Sequence, residues 1–250
     1  MDHHQALLVG YAVGLLGWLG VARVYGRPWS KRQSPSFAQP WREVAFAILA
    51  CGAVVAVGQA FVHGYLLKAQ GSFEQLIKAI NQIIIFSPIF LLLAIRRQGL
   101  DTAWLPLDRV WQRLLVGLVL ALSAILAFTL TRAGSDNWLT VLPRVYSLKN
   151  LSFAVEVFCE DMAIAILFVR FQAAMGALLS IVLVSVLFAA AHLPTLIALG
   201  VPVGGTVFLF LDAGLGMLAL TVLRRSQDIW WFWCVHFAMD MMQFDALRRG

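Results

Sequence analysis

Charged residues are scarce in this chain, and their scarcity excludes an ordinary soluble protein. Of the 250 residues only 13% are Asp, Glu, Lys or Arg, whereas 61% are hydrophobic, and the mean hydropathy is +0.82. Soluble domains carry about 25% charged residues. The composition therefore predicts an all-α protein, a polytopic transmembrane helical bundle with little chain left over for a soluble domain.

Nucleic-acid binding is also excluded, although the net charge is +6. The basic residues stand at the ends of apolar segments, as Arg23, Arg96 and Arg224 do. Basic side chains in such positions face the headgroups of lipids. We therefore expect membrane lipid to surround the protein and expect no nucleic-acid partner.

Cysteine is rare as well, and its distribution excludes a disulfide framework. The three cysteines, Cys51, Cys159 and Cys234, form no CxxC pair and lie singly in apolar runs. Cys159 precedes Glu160, which would suit a catalytic thiol. A small buried hydrophobic residue is the interpretation that we favour.

Long apolar runs fill most of the chain. A helix that crosses a bilayer needs about 20 mainly apolar residues. Eight such helices are predicted, at Ala6–Tyr25, Val44–Leu67, Leu76–Ile95, Leu114–Thr131, Leu151–Arg170, Met175–Leu199, Val203–Leu223 and Ile229–Phe244.

Three carboxylates interrupt the fifth of these runs. The stretch VEVFCEDMAIAILFVR, residues 155–170, contains Glu156, Glu160 and Asp161. A charged side chain at the centre of a bilayer costs roughly 2.5–3.5 kcal/mol on insertion scales. Glu156 and Glu160 are four residues apart and share a helix face, and Asp161 points about 100° away from Glu160. Acids kept at that cost indicate a functional site.

Two later segments add imidazoles to these acids. The segment FAAAHLP contains His192, and CVHFAMD contains His236 and Asp240, which share one helix face. Carboxylates in lipid must pair, become protonated or find water, so we expect these helices to converge on one hydrated pocket. His63, alone on the second helix, is expected only to satisfy a neighbour, and the role of Asp212 stays open.

A pocket of this composition suits hydrolysis. A carboxylate can take a proton from water. Imidazoles can hydrogen-bond a developing oxyanion or bind a divalent metal such as zinc, with His192 and His236 as its ligands. Asp240 can fix the tautomer and the orientation of a neighbouring imidazole.

At these residues the sequence resembles the CPBP (Abi) family of intramembrane proteases, which includes the CAAX prenyl endopeptidases of the Rce1 type. The family pattern is EExxxR on one helix, FxxxH on the next, and HxxxN or HxxxD near the C-terminus. Phe188–His192 matches FxxxH and His236–Asp240 matches HxxxD. In the first motif Glu160–Asp161 replaces the paired glutamates, and Ala165 stands where the family has arginine.

The resemblance implies a role for each matching residue. Glu160 would activate the attacking water, and Asp161 would be its acidic neighbour. His192, His236 and Asp240 would shape the site of the oxyanion or of a metal. The family has been described both as glutamate-dependent and as metal-dependent, so the resemblance leaves the need for a metal open.

The resemblance also implies an organisation and a function for the whole chain. Residues 1–150 would be N-terminal transmembrane helices without a recognisable motif, and residues 151–250 the catalytic core. The protein would be an endopeptidase of the plasma membrane that cleaves a protein or peptide with a hydrophobic or membrane-associated segment.

Two other functions stay open at this point. Buried acid and histidine groups, together with Asp212, are also typical of a proton- or ion-coupled transporter. The alanine at position 165 suggests instead an inactive family member that binds hydrophobic segments without cutting them.

Overall fold

The computed structural model describes residues 1, 3–25, 35–132, 137–191, 193 and 207–247, apart from the side chains of residues 207–212 and 244–247. Within these residues the chain forms ten α-helices and no strand, which confirms the predicted all-α class. The helices are α1 (His3–Tyr25), α2 (Pro40–Val62), α3 (Glu74–Ile85), α4 (Ser87–Ile95), α5 (Val110–Thr131), α6 (Trp138–Val145), α7 (Leu151–Met175), α8 (Ala177–Ala191), α9 (Val207–Ser226) and α10 (Ile229–Leu247).

The apolar helices make the chain an integral membrane protein. Within the described residues, α1, α2 and α5 are long and apolar enough to cross a membrane, and the bent pair α3–α4 adds a fourth candidate. The predicted number of eight spans is not confirmed. The short helix α8, for example, is apolar but contains only 15 residues.

The predicted third span, Leu76–Ile95, was wrong as a single helix. It is divided into α3 and α4, and the segments on either side of the break are bent by 46° relative to each other. Pro88, near the start of α4, explains the division, because proline lacks the N–H that a continuous helix needs and its ring clashes with the preceding turn.

Gly176 forms the turn between α7 and α8. The sequence predicted that one helix ends at Arg170 and the next begins at Met175, whereas α7 continues to Met175. Gly176 has a φ of +80°, and its N–H donates to the carbonyl of Gln172 at 3.0 Å. Glycine adopts this left-handed conformation without the steric cost of a Cβ. The helix therefore breaks at this one residue, and α8 packs against α7.

Helix α10 packs against α1, α5 and α7. Its Trp231 is fully buried and stacks on Trp18 of α1, with 5.3 Å between ring centroids. Its Trp233 donates from Nε1 to the carbonyl of Ala154 in α7 at 2.8 Å. These contacts lie on different sides of α10 and fix the face that it turns towards α7.

A buried ion pair holds the beginning of α10, and we call it the Arg113 pair. Arg113 donates from Nη1 to Oδ2 of Asp228 at 2.7 Å, and the two side chains are 2% and 0% exposed. Arg113 also donates to Oδ2 of Asp108 at 2.9 Å. The other oxygen of Asp228 accepts from the N–H of Trp230 at 2.9 Å, so that Asp228 also satisfies a free N–H at the helix start.

A second cluster of buried charge joins α2, α7 and the segment that follows α4. We call Glu43, Arg96, Gln98 and Arg170 the Arg170 cluster. Arg96 donates from Nε to Oε1 of Glu43 at 3.1 Å, and Gln98 donates to Oε2 of Glu43 at 2.8 Å. Arg170, which is fully buried, donates to Oε1 of Gln98 and to two backbone carbonyls. Each carboxylate oxygen of Glu43 therefore has a donor.

Candidate active site

A cavity of about 170 Å³ lies between α1, α7, α8, α9 and α10. Its wall is mainly apolar, and its polar side chains are Tyr11, Glu160, Ser185, His236, Asp240 and Gln243. The volume is several times that occupied by one water molecule, about 30 Å³. A cavity with an apolar wall and a few convergent polar groups is the usual form of a binding or active site. We call it the Glu160 cavity.

The site is built mainly by α7 and α10. Phe158 and Trp230 pack with their ring centroids 5.3 Å apart, and the Trp233 side chain is bonded to the α7 backbone. Glu160 follows Phe158 by two residues and His236 follows Trp233 by three, and both side chains reach the same cavity. The packing of aromatic residues thus positions the polar groups that follow them.

Asp161 contacts the imidazole directly. Nδ1 of His236 lies 2.8 Å from Oδ1 of Asp161, whose side chain is fully buried. An ionised carboxylate can only accept a hydrogen bond, so when Asp161 is ionised the proton of this contact lies on Nδ1. The other ring nitrogen, Nε2, lies 3.6 Å from Oδ2 of Asp240, too far for a hydrogen bond.

The carboxylate that orients the imidazole is therefore Asp161, whereas we expected Asp240 in that role. The reason lies in the packing of the helices. Asp161 faces His236 across the interface between α7 and α10, while Asp240 lies one turn beyond His236 on the same helix. The spacing of four residues places Asp240 on the right face of α10 but does not bring it into hydrogen-bond contact with the ring.

Aromatic rings enclose the imidazole of His236. The ring centroids of Phe232, Tyr11 and Phe188 lie 5.3, 6.4 and 6.5 Å from it. Phe188 is the phenylalanine of the predicted FxxxH motif. The imidazole is consequently 8% exposed, held by Asp161 on one side and open to the cavity on the other.

The structure brings three of the five predicted catalytic residues to one cavity: Glu160, His236 and Asp240. Asp161 supports His236 from beside the cavity, where its Oδ2 is buried without a hydrogen-bond partner among the described residues. His192, and with it the end of the FxxxH motif, lies outside the described residues.

The other acids and histidines that the sequence singled out have separate surroundings. Glu156 accepts from Nε2 of Gln82 at 3.3 Å and is absent from the described lining of the cavity. His63 donates from Nδ1 to the carbonyl of Gln59 at 2.7 Å, which confirms that it satisfies a neighbour. Cys159 is a buried free cysteine, as the hydrophobic interpretation requires. The side chain of Asp212 lies outside the described part of the chain.

No arginine of α7 replaces the missing motif arginine. Ala165 is buried at that position and leaves no room for a longer side chain without repacking. Arg170 is the arginine of α7, and its guanidinium donates to Gln98 and to backbone carbonyls in the Arg170 cluster. Among the residues that the structure describes, His236 is thus the basic side chain that contacts the acids of the site.

Sequence reasoning missed three polar residues of the cavity, namely Tyr11, Ser185 and Gln243. Tyr11 comes from α1, and its hydroxyl donates to Oδ1 of Asp240 at 3.2 Å. Ser185 of α8 is 1% exposed, and its hydroxyl makes no hydrogen bond within the described residues. Gly10 and Gly14 on either side of Tyr11 are a spacing that permits α1 to pack closely on another helix, but an isolated serine in an apolar helix gives no such signal.

The described residues do not by themselves fit a metal ion. Among them, no group of three or more His, Cys, Asp or Glu side chains could hold one. His236, one of the two predicted ligands, is bonded through Nδ1 to Asp161. His192, the other predicted ligand, lies outside the described residues, so zinc binding stays a prediction.

Comparison with known proteins confirms the family resemblance. Residues 149–242 match the sequence profile of the family described as type II CAAX prenyl endopeptidase Rce1-like. The matched residues include Glu160, Asp161, His236 and Asp240, whereas Tyr11 lies far outside them. No curated protein and no solved structure matches the chain.

Proposed function

We propose that this chain, which carries an Rce1-like domain, is an intramembrane endopeptidase whose water is activated by Glu160. The observation that carries the proposal is the meeting of Glu160, His236 and Asp240 in one cavity of an apolar helical protein. The family match and the apolar surroundings of the site support the substrate class that we propose. It is a protein or peptide with a membrane-associated segment, cleaved at the plasma membrane.

Glu160 is the general base of the proposed reaction. Its carboxylate lines the cavity and makes no hydrogen bond to another described residue, so it can accept a proton from a water molecule held there. The water oxygen forms a bond to the carbonyl carbon of the peptide as the proton moves to Glu160. The same proton then passes to the amide nitrogen, the carbon–nitrogen bond breaks, and a carboxylic acid, which keeps the second proton of the water, and an amine leave.

His236 stabilises the negative charge that develops on the carbonyl oxygen. Its Nδ1 is held by Asp161, so its Nε2 edge, when protonated, can donate into the cavity. Asp240 lies beside Nε2 and favours the protonated ring by its charge. A donor fixed before the reaction begins needs little reorganisation in the transition state.

The test is cleavage by the full chain in proteoliposomes, with a library of fluorogenic peptides that each carry one membrane-spanning segment. Glu160→Gln should lower the rate by about 10²–10⁴, the usual contribution of a general base. His236→Ala should also abolish cleavage. Glu156→Gln is the matched control, because Glu156 lies one turn away on the same helix and is bonded to Gln82.

The proposal is wrong if Glu160→Gln cleaves as fast as the unchanged protein. A fall of equal size in Glu156→Gln would also count against it, because the loss would then reflect charge on α7 and not the base in the cavity. Cleavage before and after chelation, with metal analysis of the purified protein, separates a glutamate-dependent mechanism from a metal-dependent one.

A second candidate is an inactive family member that binds hydrophobic segments. The buried alanine at position 165 favours it, since the family has arginine there. Such a protein would bind the peptides of the library with equal affinity as the unchanged chain and as Glu160→Gln, and neither would cleave them. Binding measured by fluorescence anisotropy alongside the cleavage assay distinguishes the two candidates.

A further inference from the structure

The N-terminal helix contributes a residue to the site although it lies outside the family match at residues 149–242. Tyr11 of α1 lines the Glu160 cavity, and its hydroxyl donates to Oδ1 of Asp240 at 3.2 Å. The second oxygen of Asp240 lies 3.6 Å from Nε2 of His236. The phenol of Tyr11, the carboxylate of Asp240 and the imidazole of His236 therefore lie in sequence, and the imidazole in turn contacts Asp161.

Small residues on α1 make this contact geometrically available. A Cβ at Gly14 would lie 2.7 Å from Cγ1 of Val235, and a Cβ at Gly10 would lie 2.5 Å from Sδ of Met239. Both distances are shorter than a real carbon contact, so α1 approaches α10 as closely as glycine permits. In membranes, small residues let helix backbones come this near and pack by van der Waals contact. Tyr11, next to Gly10, is thereby placed beside Asp240.

We infer that Tyr11 is a positioning residue of the site, whose hydroxyl holds Asp240 in the orientation that faces His236. The inference rests on the proposed function and extends it to a helix without family motifs. The donor fixes one oxygen of the carboxylate, and the other oxygen then keeps its place near Nε2. Hydrogen bonds to ionised groups are among the stronger ones in proteins, and residues that orient catalytic groups act through them.

The decisive variant is Tyr11→Phe, which removes the hydroxyl and keeps the ring that forms part of the cavity wall. The value of kcat should fall about 10-fold or more, the usual range for the loss of an orienting partner. The value of KM should change little because the wall is intact. Tyr25→Phe is the matched control, since it makes the same change at an exposed position on the same helix.

A second measurement does not depend on catalysis. The full chain, labelled with ¹⁵N in its five histidines, is placed in lipid nanodiscs, and His236 is assigned by comparison with His236→Gln. Tyr11→Phe should shift the Nε2 resonance of His236, because the neighbouring carboxylate moves. Tyr25→Phe should leave that resonance unchanged.

These two measurements distinguish failure of the inference from failure of the proposed function. An unchanged His236 resonance in Tyr11→Phe overturns the inference, whatever the activity. If the unchanged protein cleaves none of the peptides, the proposed function fails and the resonance alone decides the role of Tyr11. A shift together with a fall in kcat, absent from Tyr25→Phe, supports the inference.

The close approach of α1 can be tested by a matched pair of glycine variants. Gly14→Ala places a Cβ against Val235, so it should move α1 and reproduce the fall in kcat and the shifted resonance. Gly20→Ala adds the same methyl group where no atom lies within 4 Å and should have neither effect. Equal behaviour of the two variants would contradict the claim that helix packing places Tyr11.

Discussion

The buried charges of this molecule have opposite arrangements in two regions. In the Arg113 pair and the Arg170 cluster, each buried carboxylate faces a guanidinium or an amide donor. In the described part of the Glu160 site, two acids, Asp161 and Asp240, lie against one imidazole, and Asp161 keeps an oxygen without a partner. Buried acids need partners to be tolerated, and acids crowded around one partner are typical of catalytic sites. We therefore assign the first arrangement to the stability of the fold and the second to the proposed catalytic site.

The largest effect on stability is expected from breaking the Arg113 pair. Arg113→Met leaves the fully buried carboxylate of Asp228 without its cation, and removal of one partner of a buried pair costs about 3–5 kcal/mol. The free energy of unfolding, measured by denaturation with sodium dodecyl sulfate in mixed micelles, should fall by that amount. The double variant Arg113→Met/Asp228→Leu should recover part of the loss, since no buried charge is then unpaired. Equal stability of the single and double variants would show that the unpaired charge of Asp228 is not the cause of the lost stability.

A smaller loss is expected in the Arg170 cluster. Arg170→Met removes the donor to Gln98 and to two backbone carbonyls but leaves Arg96 and Gln98 bonded to Glu43. Acceptors left without a partner in a buried position cost about 1–3 kcal/mol. We expect the free energy of unfolding to fall by about 2–3 kcal/mol and the remaining folded protein to keep its specific activity. Lost activity without lost stability would place Arg170 with the catalytic groups instead.

Asp161→Asn should lower the activity more than the stability, which is the reverse of the effect expected for Arg170→Met. An asparagine of the same size removes the charge that holds the proton on Nδ1 of His236, so cleavage should slow by about 10–100-fold, or about 1.4–2.7 kcal/mol in the barrier. The free energy of unfolding should change less than in Arg170→Met, because the carboxylate that is removed is buried with one oxygen lacking a hydrogen-bond partner among the described residues. Asp101→Asn, at an exposed aspartate, is the control and should change neither quantity. If Asp161→Asn lowered the free energy of unfolding as much as Arg113→Met, the contrast between the Arg113 pair and the Glu160 site would be wrong.

The sequence predicted the helical class and the convergence of the polar groups for physical reasons. Apolar runs and scarce charge force a helical membrane protein, because backbone polar groups need internal partners in lipid. The spacing of four residues between His236 and Asp240 requires that both share a helix face. Glu160 could be placed near them because a carboxylate in lipid must pair with another group, become protonated or contact water.

Other features depend on how helices pack, and no local pattern encodes that. Asp161 was assigned as the neighbour of Glu160, but the crossing of α7 and α10 makes it the partner of His236. Tyr11 is 229 residues from Asp240, and only the fit of α1 against α10 brings them together. The break near Pro88, by contrast, has a local cause in the sequence, although the apolar run continues past it.

The smallest effect is expected at the exposed pair of Glu74 and Lys78, which closes the comparison. Oε1 of Glu74 lies 2.5 Å from Nζ of Lys78, a distance as short as any in the buried pairs, but the side chains are 45% and 41% exposed. Water and ions screen such a pair, and pairs of this spacing on a helix contribute about 0.3–0.5 kcal/mol. Glu74→Gln should therefore lower the free energy of unfolding by no more than about 0.5 kcal/mol and leave cleavage unchanged. A loss as large as that of Arg113→Met would mean that burial does not separate the charges that hold the fold from those on its surface.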